Sequence, residues 1–106
     1  MSKIDCREIN RVKRIPIGKT IELYLKICRD KLEDIVISGD FFAHPEEIID
    51  ELERELRNIE LNEVNNILEK YRDKIKFAGF DYNVFKEFIN EVLKEVYSNE
   101  YLSRGD

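Results

Sequence analysis

Three groups of residues in this chain have the types from which chemistry is made. Gly18-Lys19-Thr20 matches the end of a phosphate-binding loop. The full motif also needs a glycine at position 13, where Lys13 stands, and a helix after the lysine, where an alternating, strand-like segment follows instead. A phosphate-binding loop is therefore excluded, and Lys19 on its glycine turn is either a surface lysine or a contact for an anion. Cys28, Asp40 and His44 are the one set resembling soft metal ligands, and their spacing fits no zinc pattern. His44, the single histidine, reads as an ordinary residue at a helix start. No nucleophile stands beside an identifiable base, so no catalytic set of serine or cysteine type is supported. Glu47, Asp50, Glu51, Glu53 and Glu55 read as a solvated helix face, with Arg54 positioned to pair with Asp50. The chain does not have the residues of a complete enzyme.

The stretch that could position a binding group is Ile35-Val36-Ile37-Ser38-Gly39-Asp40-Phe41-Phe42-Ala43-His44-Pro45. β-Branched residues favour a pleated strand, and Gly39 allows a positive φ or a close backbone approach. Pro45 suits the first position of a helix, which would place Glu46 and Glu47 in a first turn that favours negative charge. Asp40, Phe41 and Phe42 then sit on a short loop between two rigid elements, a common location for binding groups. Two readings stay open for the rings, a core plug or an exposed contact. Adjacent residues at a strand end point to opposite sides, so the pair can do both.

Composition sets the frame for those elements. A chain of 106 residues, 42% of them apolar and 39% charged, makes one domain with a modest core and a heavily charged surface. It has no apolar run of about 18 residues and no apolar leader at its start, so neither a membrane span nor a signal peptide is expected. Cys6 and Cys28 are far apart in sequence, and two reduced thiols in a cytoplasmic protein are the expectation. The net charge of −5 is unevenly distributed: residues 1–31 hold nine Lys/Arg against four Asp/Glu, leaving −10 for the remainder. An acidic chain is a poor candidate for nucleic acid, while its basic end can face an anion or an acidic partner surface.

Along the chain, a first strand is expected over 8–14 and a turn at Pro16 and Gly18. Over 20–29, Ile21, Leu23, Leu25 and Ile27 alternate with Glu22, Tyr24, Lys26 and Cys28, the pattern of a half-buried strand. A turn at Asp30-Lys31 leads to a third strand over 32–38, completing an antiparallel meander. Helical spacing follows in Ile49, Leu52, Leu56 and Ile59, with the first helix expected to end near Arg57-Asn58. Asn62 is the expected cap of a second helix carrying Val64, Ile67, Leu68, Tyr71 and Ile75. Asp81 is the expected cap of a third, with Phe80 and Phe85 as a hydrophobic staple. From about Asn99 the tail is expected to fray. The fold class is α+β: a three-stranded antiparallel meander backed by about three helices, a single domain over 1–106.

Ile37-Ser38-Gly39-Asp40-Phe41-Phe42 followed by His44-Pro45-Glu46-Glu47 resembles the C-terminal domain of lipoate–protein ligase A, which in archaea and some bacteria is a separate small subunit. Pro16, Gly18 and Lys19 match the family's first block, with Arg14 where lysine is usual and Ile17 where glycine is frequent. Leu52, Glu53 and Leu56 match its helix pattern, and Gly79 falls where a glycine often precedes the last helix. The resemblance implies a SufE/NifU-like fold, that of sulfur-acceptor and iron–sulfur scaffold proteins. It also implies an accessory subunit that binds no cofactor itself, docks on a catalytic large subunit using ATP, Mg and lipoate, and enables activation of lipoate to lipoyl-adenylate. Lipoyl acceptor domains are then indirect partners, with no role for nucleic acid or membrane, and the site facing the partner and the adenylate is Arg14, Gly18, Lys19, Gly39, Asp40, Phe41 and Phe42. An iron–sulfur or sulfur-transfer scaffold of the same fold is the alternative, although such scaffolds need several exposed cysteines.

Overall fold

The computed structural model describes residues 6–16 and 18–105, with side chains as far as Val96. Three ten-residue strands come first, β1 (Cys6–Ile15), β2 (Lys19–Cys28) and β3 (Lys31–Asp40). They form the expected antiparallel meander, with β1 and β3 each extending beyond the expected 8–14 and 32–38. Ile21, Leu23, Leu25 and Ile27 of β2 are buried with Ile35 and Ile37 of β3, whereas Glu22, Val36 and Ser38 on the opposite face are exposed. The chain then runs through β4 (Ala43–His44), α1 (Ile48–Leu56), β5 (Ile59–Glu60), a 3-10 turn at Leu61–Glu63, α2 (Val64–Tyr71), β6 (Lys76–Phe77) and α3 (Tyr82–Gly105). Strand β5 extends the main sheet to the order β1-β2-β3-β5, and β4 pairs with β6 in a separate two-stranded ribbon. Leu52, Leu56, Leu68, Phe85, Ile89 and Val92 from the three helices pack on the apolar sheet face. The architecture is the α+β meander with three helices.

Several boundaries differ from the sequence expectation for non-local reasons. His44 pairs with Lys76 and so stays extended, followed by a cis peptide to Pro45. Pro45 therefore lies in a turn, its carbonyl accepting the Ile48 N–H at 3.2 Å, and α1 starts at Ile48 rather than Pro45. Asp50 and Glu51, not Glu46 and Glu47, occupy its first turn. Asn58 has φ 61°, the left-handed conformation expected just beyond this helix. Asn62 lies inside the 3-10 turn instead of capping α2, and α2 ends at Tyr71, four residues before Ile75. Phe85 meets Phe77 at 5.0 Å and Tyr82 at 5.6 Å, the place the staple assigned to Phe80. Helix α3 continues to Gly105, past the point at which fraying was expected.

The two cysteines are joined in a disulfide instead of remaining free thiols. Their sequence separation of 22 gave no hint of it, but the β1–β2 register sets Cys6 directly opposite Cys28, with Cα atoms 4.0 Å apart. The bond closes the open end of the hairpin, and in the chain-entropy view a loop of this length is worth about 3 kcal/mol.

Glu53, expected on a solvated face, is 9% exposed. Its Oε2 accepts the Ile37 N–H at 2.6 Å, on the side of β3 turned away from β2. Arg57 completes the arrangement, donating to Asp34 Oδ1 at 2.8 Å and to the Ile35 carbonyl at 3.3 Å. It also lies 3.6 Å from Glu53 Oε1, so the helical ion pair is Glu53–Arg57 where Asp50–Arg54 was expected. Burial raises the Glu53 carboxyl above its usual range, against the Ile37 N–H and Arg57, which favour the charged form. Truncation leaves a buried N–H without a partner. Glu53→Ala should cost about 1–3 kcal/mol in urea unfolding, and Glu53→Gln, which keeps an acceptor, less than about 1 kcal/mol.

Charge pairs also fasten α2 to α3. Glu69 receives both Nε and Nη2 of Arg72, at 3.1 and 2.8 Å, and pairs with Lys86. Arg72 first, then Lys86, holds the Glu69 carboxyl at about 2, below its ordinary 4.5. A depressed carboxyl contributes stability that is complete above the unfolded value and is lost as pH falls towards the folded one. Glu69→Gln should therefore flatten the loss of thermal stability between about pH 4.5 and 2 relative to the wild type, measured by circular dichroism.

Candidate functional site

The β3 exit and the β1–β2 turn meet at one corner of the sheet. Gly18, at φ 86°, closes the turn by donating its N–H to the Ile15 carbonyl at 2.9 Å. Gly39, at φ 133°, has two reasons to be glycine. A Cβ there would stand 2.4 Å from the backbone oxygen of Thr20, so β2 approaches as closely as the missing side chain permits. One residue on, the Asp40 N–H donates to Thr20 Oγ1 at 3.1 Å. The Asp40 carboxylate is exposed and makes no hydrogen bond among the described residues, so the loop is held by the Asp40 backbone and not by its side chain.

Beyond this anchor the two phenylalanines part. Phe41 turns inward, edge-on to Phe77 at 5.6 Å and to Phe80 at 6.4 Å, while Phe77 and Phe80 stack at 4.8 Å. Phe42 turns outward and is 65% exposed, although its carbonyl is fixed by the Ala78 N–H at 3.0 Å. The Lys19 ammonium sits 4.8 Å from the centre of the Phe42 ring, within cation–π range. A large apolar ring is thus presented to solvent on a fixed backbone with a cation above it. Such a corner can bury the ring in a partner's pocket while delivering positive charge beside it.

Of the expected site residues, Gly18, Lys19, Gly39, Asp40 and Phe42 come together here, and Phe41 supports the corner from beneath. Arg14 does not join Lys19. It faces Thr20 in the register, while Lys19 faces the buried Ile15, so the pleat directs the two cations to opposite faces. Ile17 lies outside the described residues. Cys28 pairs with Lys31 at the far end of β3 from Asp40, which separates the Cys28–Asp40–His44 set, and His44 is exposed on β4. Among the described residues no three His, Cys, Asp or Glu side chains converge as a metal site would require. Sequence reasoning missed Thr20, whose hydroxyl ties the loop, and the aromatic cluster beneath Phe41. The strand spacing of Thr20 carried no sign of the first. Phe77, Phe80, Tyr82 and Phe85, closely spaced in sequence, were a sign of the second.

The family described as "Bacterial lipoate protein ligase C-terminus" matches residues 7–89, from β1 well into α3. The chain belongs to this family. Within it, a 51-residue stretch, 48% of this chain, is 37% identical to lipoate-protein ligase A subunit 2 of Thermoplasma acidophilum. That match spans about half, 54%, of the relative's own length. The fold is also similar to a chain in the solved structure of an archaeal lipoylation system, a bi-partite lipoate protein ligase and its E2 lipoyl domain from the same organism. There the TM-score is 0.64 at 28% identity, covering 80% of this chain and 94% of that one. The resemblance carried by Gly-Asp-Phe-Phe is therefore borne out in family and in fold.

The corner of this ligase C-terminal domain is set by Gly39. An alanine there meets both an unfavourable φ and the Thr20 carbonyl, so Gly39→Ala should lower stability by at least about 2 kcal/mol in denaturant unfolding. Gly18 has open space around its Cβ position, and its conformation alone opposes substitution. Gly18→Ala should therefore cost less than Gly39→Ala.

Proposed function

We propose that this chain is the accessory subunit of a two-part lipoate–protein ligase, docking on a catalytic large subunit and enabling ATP-dependent activation of lipoate. The observation that carries this reading is the exposed Phe42 ring beneath the Lys19 ammonium, fixed at the corner of a ligase C-terminal domain. The similarity to one subunit of a bi-partite archaeal ligase supports it. Activation joins the lipoate carboxylate to the α-phosphate of ATP and expels pyrophosphate. Negative charge on the phosphate oxygens grows in the transition state, where a positioned cation stabilises it most. Lys19 supplies that cation when the two subunits meet, and Phe42 supplies the apolar anchor that sets its place. Transfer of the lipoyl group to acceptor domains is then work of the large subunit.

A cytoplasmic location is part of this proposal. No helix among the described residues is long and apolar enough to cross a membrane. The sulfur-scaffold alternative loses ground because Cys6 and Cys28, its only thiols, are bonded to each other.

Docking and charge delivery separate experimentally. In titration against the catalytic subunit, Phe42→Ala should weaken binding by about 2 kcal/mol, roughly thirtyfold, as loss of a buried aromatic anchor does. Lys19→Ala should bind more nearly normally at saturating concentration but slow adenylate formation by about tenfold or more. Wild-type affinity for the first and wild-type rate for the second would contradict these roles.

A further inference from the structure

The main sheet has two long borders, and they are treated differently. Along β3, Glu53 takes the Ile37 N–H, Arg57 takes the Ile35 carbonyl, and Asp34 Oδ1 accepts the Ile35 N–H at 2.9 Å. Along β1 the register shows which groups face outward. Ile37 turns its backbone away from β2, so its partner Leu23 turns away from β3 and towards β1. Leu23 is paired with Arg11, so Arg11 and its odd-numbered neighbours bond to β2. Glu8, Asn10, Val12 and Arg14 therefore direct their N–H and C=O groups off the sheet. Of these, the Asn10 carbonyl receives a side chain, Arg11 Nη1 at 2.8 Å. No backbone hydrogen bond among the described residues takes up the others.

The same four side chains lie on the uncovered sheet face, where the exposed apolar residues Val12 (58% exposed) and Val36 (41%) flank Tyr24. The border leads directly to the candidate corner, since Ile15 at its end faces Lys19. Its charge is one-sided: Arg7, Arg11, Lys13 and Arg14 against Glu8, a net of +3. Arg11 is paired with Glu95 at 2.6 Å, which leaves Arg7, Lys13 and Arg14 without a salt bridge among the described residues. A second copy of this chain would set a +3 strand against a +3 strand, and like charges across a strand pair are destabilising.

We propose that β1 is a strand-addition edge that receives an extended, acidic segment of the ligase catalytic subunit. This rests on the accessory-subunit reading and deepens it. The incoming backbone pairs with the outward groups of Glu8, Val12 and Arg14 and with the Asn10 N–H, its apolar side chains pack beside Val12, and its carboxylates meet Lys13 and Arg14. Affinity comes from the backbone ladder and selectivity from the charge. Arg14, separated from Lys19 by the pleat, acts in this docking edge and not at the adenylate.

Amide hydrogen exchange on the isotope-labelled full chain, read by NMR with and without unlabelled catalytic subunit, tests this residue by residue. In the free chain the amides of Asn10, Val12 and Arg14 should exchange fast and those of Ile9, Arg11 and Lys13 slowly. In the complex the first group should slow by about tenfold or more, as amides in a newly formed ladder do. A bound complex in which they exchange as fast as before overturns the edge while leaving the subunit reading intact. No complex with the wild-type chain overturns both. Val12→Pro adds a second readout, because it removes an outward N–H that β2 does not use. With the fold retained, it should bind at least about tenfold more weakly. Native structure with undiminished affinity overturns the proposal.

Discussion

The approach of the Thr20 carbonyl to Gly39 is the contact on which the organisation of this molecule turns. It brings the end of β3 against β2 at a distance that no side chain at position 39 would allow. The Asp40 N–H can then bond Thr20 Oγ1, and the chain leaves the sheet in a fixed direction. That direction sends Phe41 under the ribbon formed by β4 and β6 and leaves Phe42 outside, beneath Lys19. A backbone contact thus determines which of two identical side chains becomes core and which becomes surface.

The sheet's two borders extend the same logic. Helix α1 closes the β3 border with Glu53 and Arg57, side chains whose charges are spent on backbone groups and on each other. An unpaired buried N–H is costly, so a buried carboxylate on a helix is tolerated there. The β1 border has no such cover among the described residues and carries an excess of cations instead. Positive charge along an edge strand discourages pairing between copies of the chain and still admits an acidic strand. The polarity visible in the sequence, basic strands before acidic helices, acquires a structural meaning in this arrangement.

The strands and the loop were legible because their signals are local. Ile21, Leu23, Leu25 and Ile27 alternate within one strand, and Gly39-Asp40-Phe41-Phe42 marks its own exit. What escaped notice depends on residues far apart in sequence. The Cys6–Cys28 bond follows from the hairpin register and from nothing in the spacing of the cysteines. The start of α1 was misplaced because His44 is held extended by Lys76, over 30 positions later. Glu53 looked solvated because its neighbours in sequence are charged, whereas its neighbour in space is the edge of β3. Arg14 and Lys19 lie near each other in sequence, yet the pleat sets them on opposite faces.

The most direct measurement of the accessory role is lipoyl-adenylate formation by the matching catalytic subunit, supplied with lipoate and Mg·ATP, in the presence and absence of this chain. Adenylate that accumulates only when both chains are present is the expected result. Equal accumulation without this chain would contradict the role and leave a ligase C-terminal domain fold engaged in different work.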